Sequence, residues 1–253
     1  MSDSDSSNPE MTHSVTIAKR QALLRNACFA GDVMEAKALL SDPTYFWQPD
    51  QVYSDARAVC DECEELLDPS EDVIKWWAIN SVNSVGKYQE RLIMITTKNF
   101  IRVKIDFTKK AILRFEKTPL EEIEYVHHGK IVMNTSKFDP ASFMVKKQPE
   151  QFGLRYTKRV PLPKPGEDIP VLRDDDRFRT FVPILGTNVV YSMEDVAAEI
   201  ALTLTVARHA LAQSTNSDFS PDVFISNTNI QMFVKGSVMS LFHNSLGLGS
   251  ARP

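Results

Sequence analysis

Cys60 and Cys63, in the stretch CDEC, have the Cys-x-x-Cys spacing of a dithiol redox pair or of half a tetrahedral zinc site. Completing a zinc site would take two more ligands, yet the only other cysteine is Cys28 and no histidine lies nearby in sequence. A helix capped by Asp50 and running to about Leu67 places Val52, Ala56, Val59, Cys60, Cys63 and Leu67 on one apolar stripe. On that stripe both thiols read as core groups. His127 and His128 are adjacent at an expected turn. Consecutive residues of an extended segment point to opposite faces, so the two imidazoles cannot share a metal, and surface positions are expected for them. Asp174, Asp175 and Asp176 lack the spacing of a calcium loop and read as solvated. The closing GLGS lacks the G-x-x-x-x-G-K-[ST] pattern of a phosphate loop. These residues lead us to expect no catalytic centre, no metal and no cofactor.

The basic residues carry a second line of chemistry. Formal net charge is −4, but it is unevenly spread: residues 1–72 hold 5 Lys and Arg against 15 Asp and Glu. Between Lys87 and Lys117 nine basic residues face only Glu90, Asp106 and Glu116. From Asn99 onward Ile101, Val103, Ile105 and Phe107 alternate with Arg102, Lys104 and Asp106, the period of a half-buried strand. Arg102, Lys104 and Arg114 are therefore expected on the outside of the sheet. There they offer contact with an anionic surface, each adding about 1 kcal/mol of attraction near an anionic leaflet. A solvated face partly neutralised by the acidic N-terminal segment explains the same charges. Lys87 and Arg91, with Glu90 between them, do not form the paired basic motif of a phosphoinositide pocket, and none is expected.

The elements that must position these residues follow from periodicity. Residues 1–13 are Ser/Asp-rich and read as a disordered tail. TIAKRQALLRNACFAG ends in Gly31, a left-handed cap, and DVMEAKALLSDP opens on Asp32 as N-cap; residues 14–43 thus read as an accessory helical hairpin. The third helix leads into a domain over residues 44–214. Its candidate strands are VIKWWAINSV, ERLIMITT, NFIRVKIDF, AILRFEKT, the region around IEYVHHGKIVM, FGLRYTK and RTFVPIL, with a polar loop at 161–176. A strong helix follows, with Ser192 and Asp195 as a capping box and Val196, Ile200, Leu204, Ala207 and Leu211 as its stripe. The fold class is α+β: a pleckstrin-homology-like antiparallel barrel capped by a helix.

Residues 215–253 are read as a C-terminal amphipathic helix and tail. From about Thr228 to Leu246, Ile230, Phe233, Val234, Val238, Leu241 and Phe242 recur at helical spacing, opposite a face of Ser, Asn and Gln whose one permanent charge is Lys235. Such a helix meets either a curved membrane, through packing defects, or protein.

Several blocks resemble the tumour-protein-p-sixty-three-regulated family: YFWQPDQVYSDARAV, ERLIMITTKNFIRVKIDF, PLEEIEYVHHGKI, FGLRY, FRTFVPI and MSLFHNSLGLG. The resemblance covers about Tyr45 to Gly249. It implies the inositol phosphatase homology domain found beside the catalytic domain of a Sac-type phosphoinositide phosphatase. It further implies a cytosolic, vesicle-associated, presynaptic-type protein that self-associates. Sac-type enzymes use a cysteine in a C-x5-R loop. Six positions after Cys28, Cys60 and Cys63 stand Met34, Leu66 and Pro69, so the arginine is missing. The expectation is a non-enzymatic adaptor, a homodimer through exposed strand edges, with no nucleic acid and no small-molecule substrate. A soluble scaffold that never meets membrane and a phosphoinositide-metabolising enzyme are the alternatives.

Overall fold

A computed structural model describes residues 9–42, 56–82, 88–106, 109, 111–134, 151–159, 178–184, 192–215 and 219–233. Helix α1 spans Pro9–Ala30, so a helix starts inside the stretch expected to be a tail. It ends at Gly31, whose φ of 66° is the left-handed conformation that glycine adopts without penalty. Asp32 then caps α2 (Val33–Leu40), its Oδ1 accepting from the Glu35 amide at 2.9 Å. Within α3, Ala56–Glu65, Val59, Cys60 and Cys63 are buried as the stripe predicts; the expected start at Asp50 lies outside the described residues.

Seven antiparallel strands follow: β1 Val73–Val82, β2 Tyr88–Thr96, β3 Asn99–Asp106, β4 Ala111–Pro119, β5 Ile123–Asn134, β6 Phe152–Lys158 and β7 Phe178–Pro183. A 3-10 turn, Leu120–Glu122, carries β4 directly into β5. Helix α4, Met193–Thr215, begins with the expected capping box: the Asp195 amide donates to Ser192 Oγ at 3.1 Å and the Ser192 amide to Asp195 Oδ2 at 3.2 Å.

The order in the sheet is β4-β3-β2-β1-β7-β6-β5, followed by a last, parallel strand β8, Phe224–Asn227. The sheet is strongly curled. Phe100 on β3 meets Tyr156 on β6 with ring centroids 4.8 Å apart, although three strands separate them in the sheet. Among the described residues the end strands β4 and β8 do not pair with each other, so the sheet stays open where a closed barrel was expected.

Two expectations are corrected here. The first is the outer basic face. Leu92, Ile93, Met94 and Ile95 are all fully buried, as are Phe100, Ile101 and Val103, so β2 and β3 are covered on both sides over these residues. The second is the C-terminal helix. Ile230–Phe233 is a strand, β9, parallel to Ile131–Asn134 of β5. Ile230 and Met232 are buried while Gln231 is exposed, a period of two that a four-residue window cannot separate from a helical stripe. Backbone partners on β5 decide the outcome. Val234, Val238, Leu241 and Phe242 lie outside the described residues, as does Phe107.

β8 and β9 are separated at Thr228, opposite Gly129 of β5. Gly129 has φ of 156°, and a Cβ there would lie 2.3 Å from the Thr228 carbonyl oxygen. Only glycine fits this approach.

The helices α1 and α2 contribute Leu24, Ala27, Cys28, Ala36 and Leu40 to the same apolar cluster as the sheet and α4. Their docking is fixed by a buried ion pair. Lys75 Nζ on β1 lies 2.6 Å from Glu199 Oε1 on α4 and donates to Leu40 O at 3.1 Å; Trp77 Nε1 donates to the same carboxylate oxygen at 3.0 Å. Burial lowers the Lys75 pKa and raises that of Glu199, and each charge opposes the other's shift. Removing one member leaves an uncompensated buried charge. Lys75→Met is therefore expected to lower unfolding free energy by about 3 to 5 kcal/mol, and Lys75→Met with Glu199→Leu by much less. Urea unfolding of the two variants checks this; equal losses would contradict it.

Candidate functional site

The basic residues come together through strand register. Arg91 on β2 pairs with Lys104 on β3, which pairs with Arg114 on β4. One step along, Ile93 pairs with Arg102, which pairs with Glu116. Cross-strand partners share a face, so these six side chains form two adjacent rows. The face is the inner one. Phe100 stands two residues before Arg102 and touches Tyr156 and Phe181, with centroids 4.8 and 5.9 Å away. The site is thus a cationic rim above a closed aromatic floor, since Phe100, Tyr156 and Phe181 are all buried. Arg102, Lys104 and Arg114, expected outside the barrel, lie on the inner rim instead, joined by Arg91.

Charges on the rim are poorly matched. Glu116 serves two guanidiniums: it pairs with Arg102 and, through Oε1, with Arg114 Nε at 2.5 Å. Among the described residues Arg91 donates only to neutral oxygens, Glu90 O at 2.6 Å and Gln89 Oε1 at 2.5 Å. Its pKa is lowered by burial first and by the neighbouring Arg102 and Arg114, against the pull of Glu116. Lys104 is exposed and has no ion pair or hydrogen bond among the described residues. Asp106, further along β3, has Lys109 at 4.0 Å. At the floor, the Tyr156 hydroxyl hydrogen-bonds Thr118 and its pKa is raised by burial.

The thiols are elsewhere. Cys28, Cys60 and Cys63 are buried and form no disulfide with one another. Cys28 Sγ donates to Leu202 O at 3.0 Å, and burial pushes its pKa up to about 12. Cys63 is likewise pushed up to about 12 by burial and by Glu62 and Glu64. Among the described residues no cluster of His, Cys, Asp and Glu is arranged to hold a metal. Asp174, Asp175 and Asp176 lie outside the described residues.

His127 and His128 lie within β5 and not at a turn, and they point apart as expected. His127 Nε2 shares a hydrogen bond with Thr228 Oγ1 at 2.8 Å. His128 is not a surface residue. Its Nδ1 is buried without a partner, and the ring lines a cavity of about 360 Å³ between α1, α4, β5 and β8. Strand alternation places it on the inner face, but the helices that roof it come from distant sequence.

Residues 51–156, which include β1 to β5 and most of β6, match the family model described as hSac2, inositol phosphatase. Among solved structures, the hSac2 domain from human phosphoinositide phosphatase Sac2 is similar, with 13% sequence identity, a TM-score of 0.44, and coverage of 72% of this chain and 91% of that one. A search of curated proteins gives no match to the chain.

Thiols with pKa about 12 hold almost no thiolate at neutral pH. Iodoacetamide at pH 7 is expected to leave Cys28 and Cys63 unlabelled in the native chain and to label both in denaturant, read by mass spectrometry. Rapid native labelling of either would contradict their placement.

Proposed function

We propose that this chain is a non-enzymatic adaptor that meets anionic vesicle surfaces peripherally and self-associates. The observation that carries the reading is the burial of every cysteine in the core, two of them with raised pKa values. A Sac-type reaction needs a thiolate held beside an arginine six residues on; Cys28 and Cys63 lack the ionisation, and none of the three cysteines has the arginine. The match of residues 51–156 is to an inositol-phosphatase family model, so a phosphoinositide-directed enzyme is the rival reading.

Two features support surface contact and assembly. The cationic rim offers attraction to anionic lipid, and no helix among the described residues is long and apolar enough to cross a membrane. Among the described residues β4 is an edge strand with Leu113 about half exposed, and such an edge can offer backbone groups and an apolar side chain to a second copy. The presynaptic setting rests on the family resemblance of the sequence blocks and is part of the same proposal.

Incubation of the full chain with phosphatidylinositol phosphates is expected to release no phosphate above buffer, and multi-angle light scattering at tens of micromolar is expected to give twice the chain mass. Phosphate release lost on Cys28→Ser, Cys60→Ser or Cys63→Ser would overturn the non-enzymatic reading. A monomer mass would overturn self-association.

A further inference from the structure

Three like charges stand directly opposite one another across β2, β3 and β4, an arrangement that weakens a sheet. Nothing in the core needs it. Arg91 is held by neutral acceptors, Lys104 by none among the described residues, and the one carboxylate in the two rows is divided between Arg102 and Arg114. Charges that are frustrated, mutually close and open to solvent are the mark of a site completed by a ligand.

We propose that Arg91, Lys104 and Arg114, backed by Arg102, form a binding site for a phosphomonoester dianion. Neighbouring strands lie about 5 Å apart, so donors from three adjacent strands converge on a group the size of one phosphate. A tripod of oxygens suits two planar guanidiniums and a flexible ammonium. Two negative charges, added to that of Glu116, bring the rim close to neutral. A carboxylate supplies one charge and two oxygens and leaves the row unbalanced. A nucleic-acid backbone needs a longer basic stripe, and this rim is bounded on its own face by Asp106 on β3 and the uncharged Gln89 on β2.

The site rests on the non-hydrolysing reading above, because the rim binds the phosphate and supplies no nucleophile. The phosphate could belong to a membrane phosphoinositide or to a soluble metabolite, and the test separates these sources. Calorimetry of the full chain with soluble inositol 1,4-bisphosphate is paired with flotation on phosphatidylcholine vesicles carrying phosphatidylinositol 4-phosphate or, at matched charge, phosphatidylserine.

Saturable binding of the soluble probe is expected. It should weaken about tenfold or more in Lys104→Gln and in Arg91→Gln, as loss of one charge-assisted contact requires, and tighten in Glu116→Gln. Lys104→Gln should melt no lower than wild type, which separates lost binding from lost folding. Flotation confined to the phosphoinositide vesicles assigns the site to membrane. Soluble binding without flotation keeps the site and assigns it to a metabolite, while removing the vesicle reading. No saturable binding of the soluble probe, or unchanged binding in both Lys104→Gln and Arg91→Gln, overturns the site. Equal flotation on phosphatidylserine without soluble binding overturns it while leaving peripheral membrane contact standing.

Discussion

The Glu199 carboxylate on α4 accepts from Lys75 and Trp77 of β1, and Lys75 also reaches the carbonyl of Leu40 at the end of α2. One ion pair therefore joins the helical pair at the N-terminus, the middle of the sheet and the long helix. Its attraction has to outweigh the desolvation of two charges, which the short contact and the two additional hydrogen bonds make feasible. With those three elements fixed, Trp77, Ile79 and Ile93 are buried between sheet and helices, and the sheet curls tightly enough for Phe100, Tyr156 and Phe181 to meet. The buried aromatic floor beneath the rim follows from that curl.

A second buried cation performs a similar task at the far side. Arg208 on α4 donates to the carbonyls of Pro221 and Ser220, ahead of β8, and to Leu120 in the turn between β4 and β5; its side chain also stacks over Phe219. Burial pulls its pKa down to about 10, yet it stays charged at neutral pH and donates to three backbone oxygens. The two buried cations contrast with the rim. Lys75 and Arg208 are each held by several partners, whereas among the described residues neither Lys104 nor Arg91 is paired with a carboxylate.

Much of the fold could be read directly. Every expected strand is present because each is bounded by turn residues and rich in β-branched or aromatic side chains. The caps at Gly31, Asp32 and Ser192 are local chemistry and could be read in the same way. Facing was harder. Alternation in NFIRVKIDF shows that Ile101 and Arg102 point apart, but not that Phe100 and Ile93, on the side of Arg102, are buried as well. That depends on α4, which lies about ninety residues further on. Part of the rim was nevertheless within reach. The two-residue connection Thr97–Lys98 fixes the pairing of Arg91 with Lys104, so the convergence of those charges was encoded in the hairpin. β8 and β9 were not: a short apolar run beside a parallel partner has no signature of its own.

The central claim is that the cationic rim is kept at some expense to the stability of the sheet. Its most direct test is the unfolding free energy of wild type and Lys104→Gln across a sodium chloride series in the absence of phosphate. Relief of a like-charge cross-strand contact makes the variant more stable at low salt by about 0.2 to 1 kcal/mol. The difference then vanishes as the Debye length falls to about 3 Å near 1 M salt. A variant less stable than wild type at low salt, or a difference that salt does not change, would contradict the account.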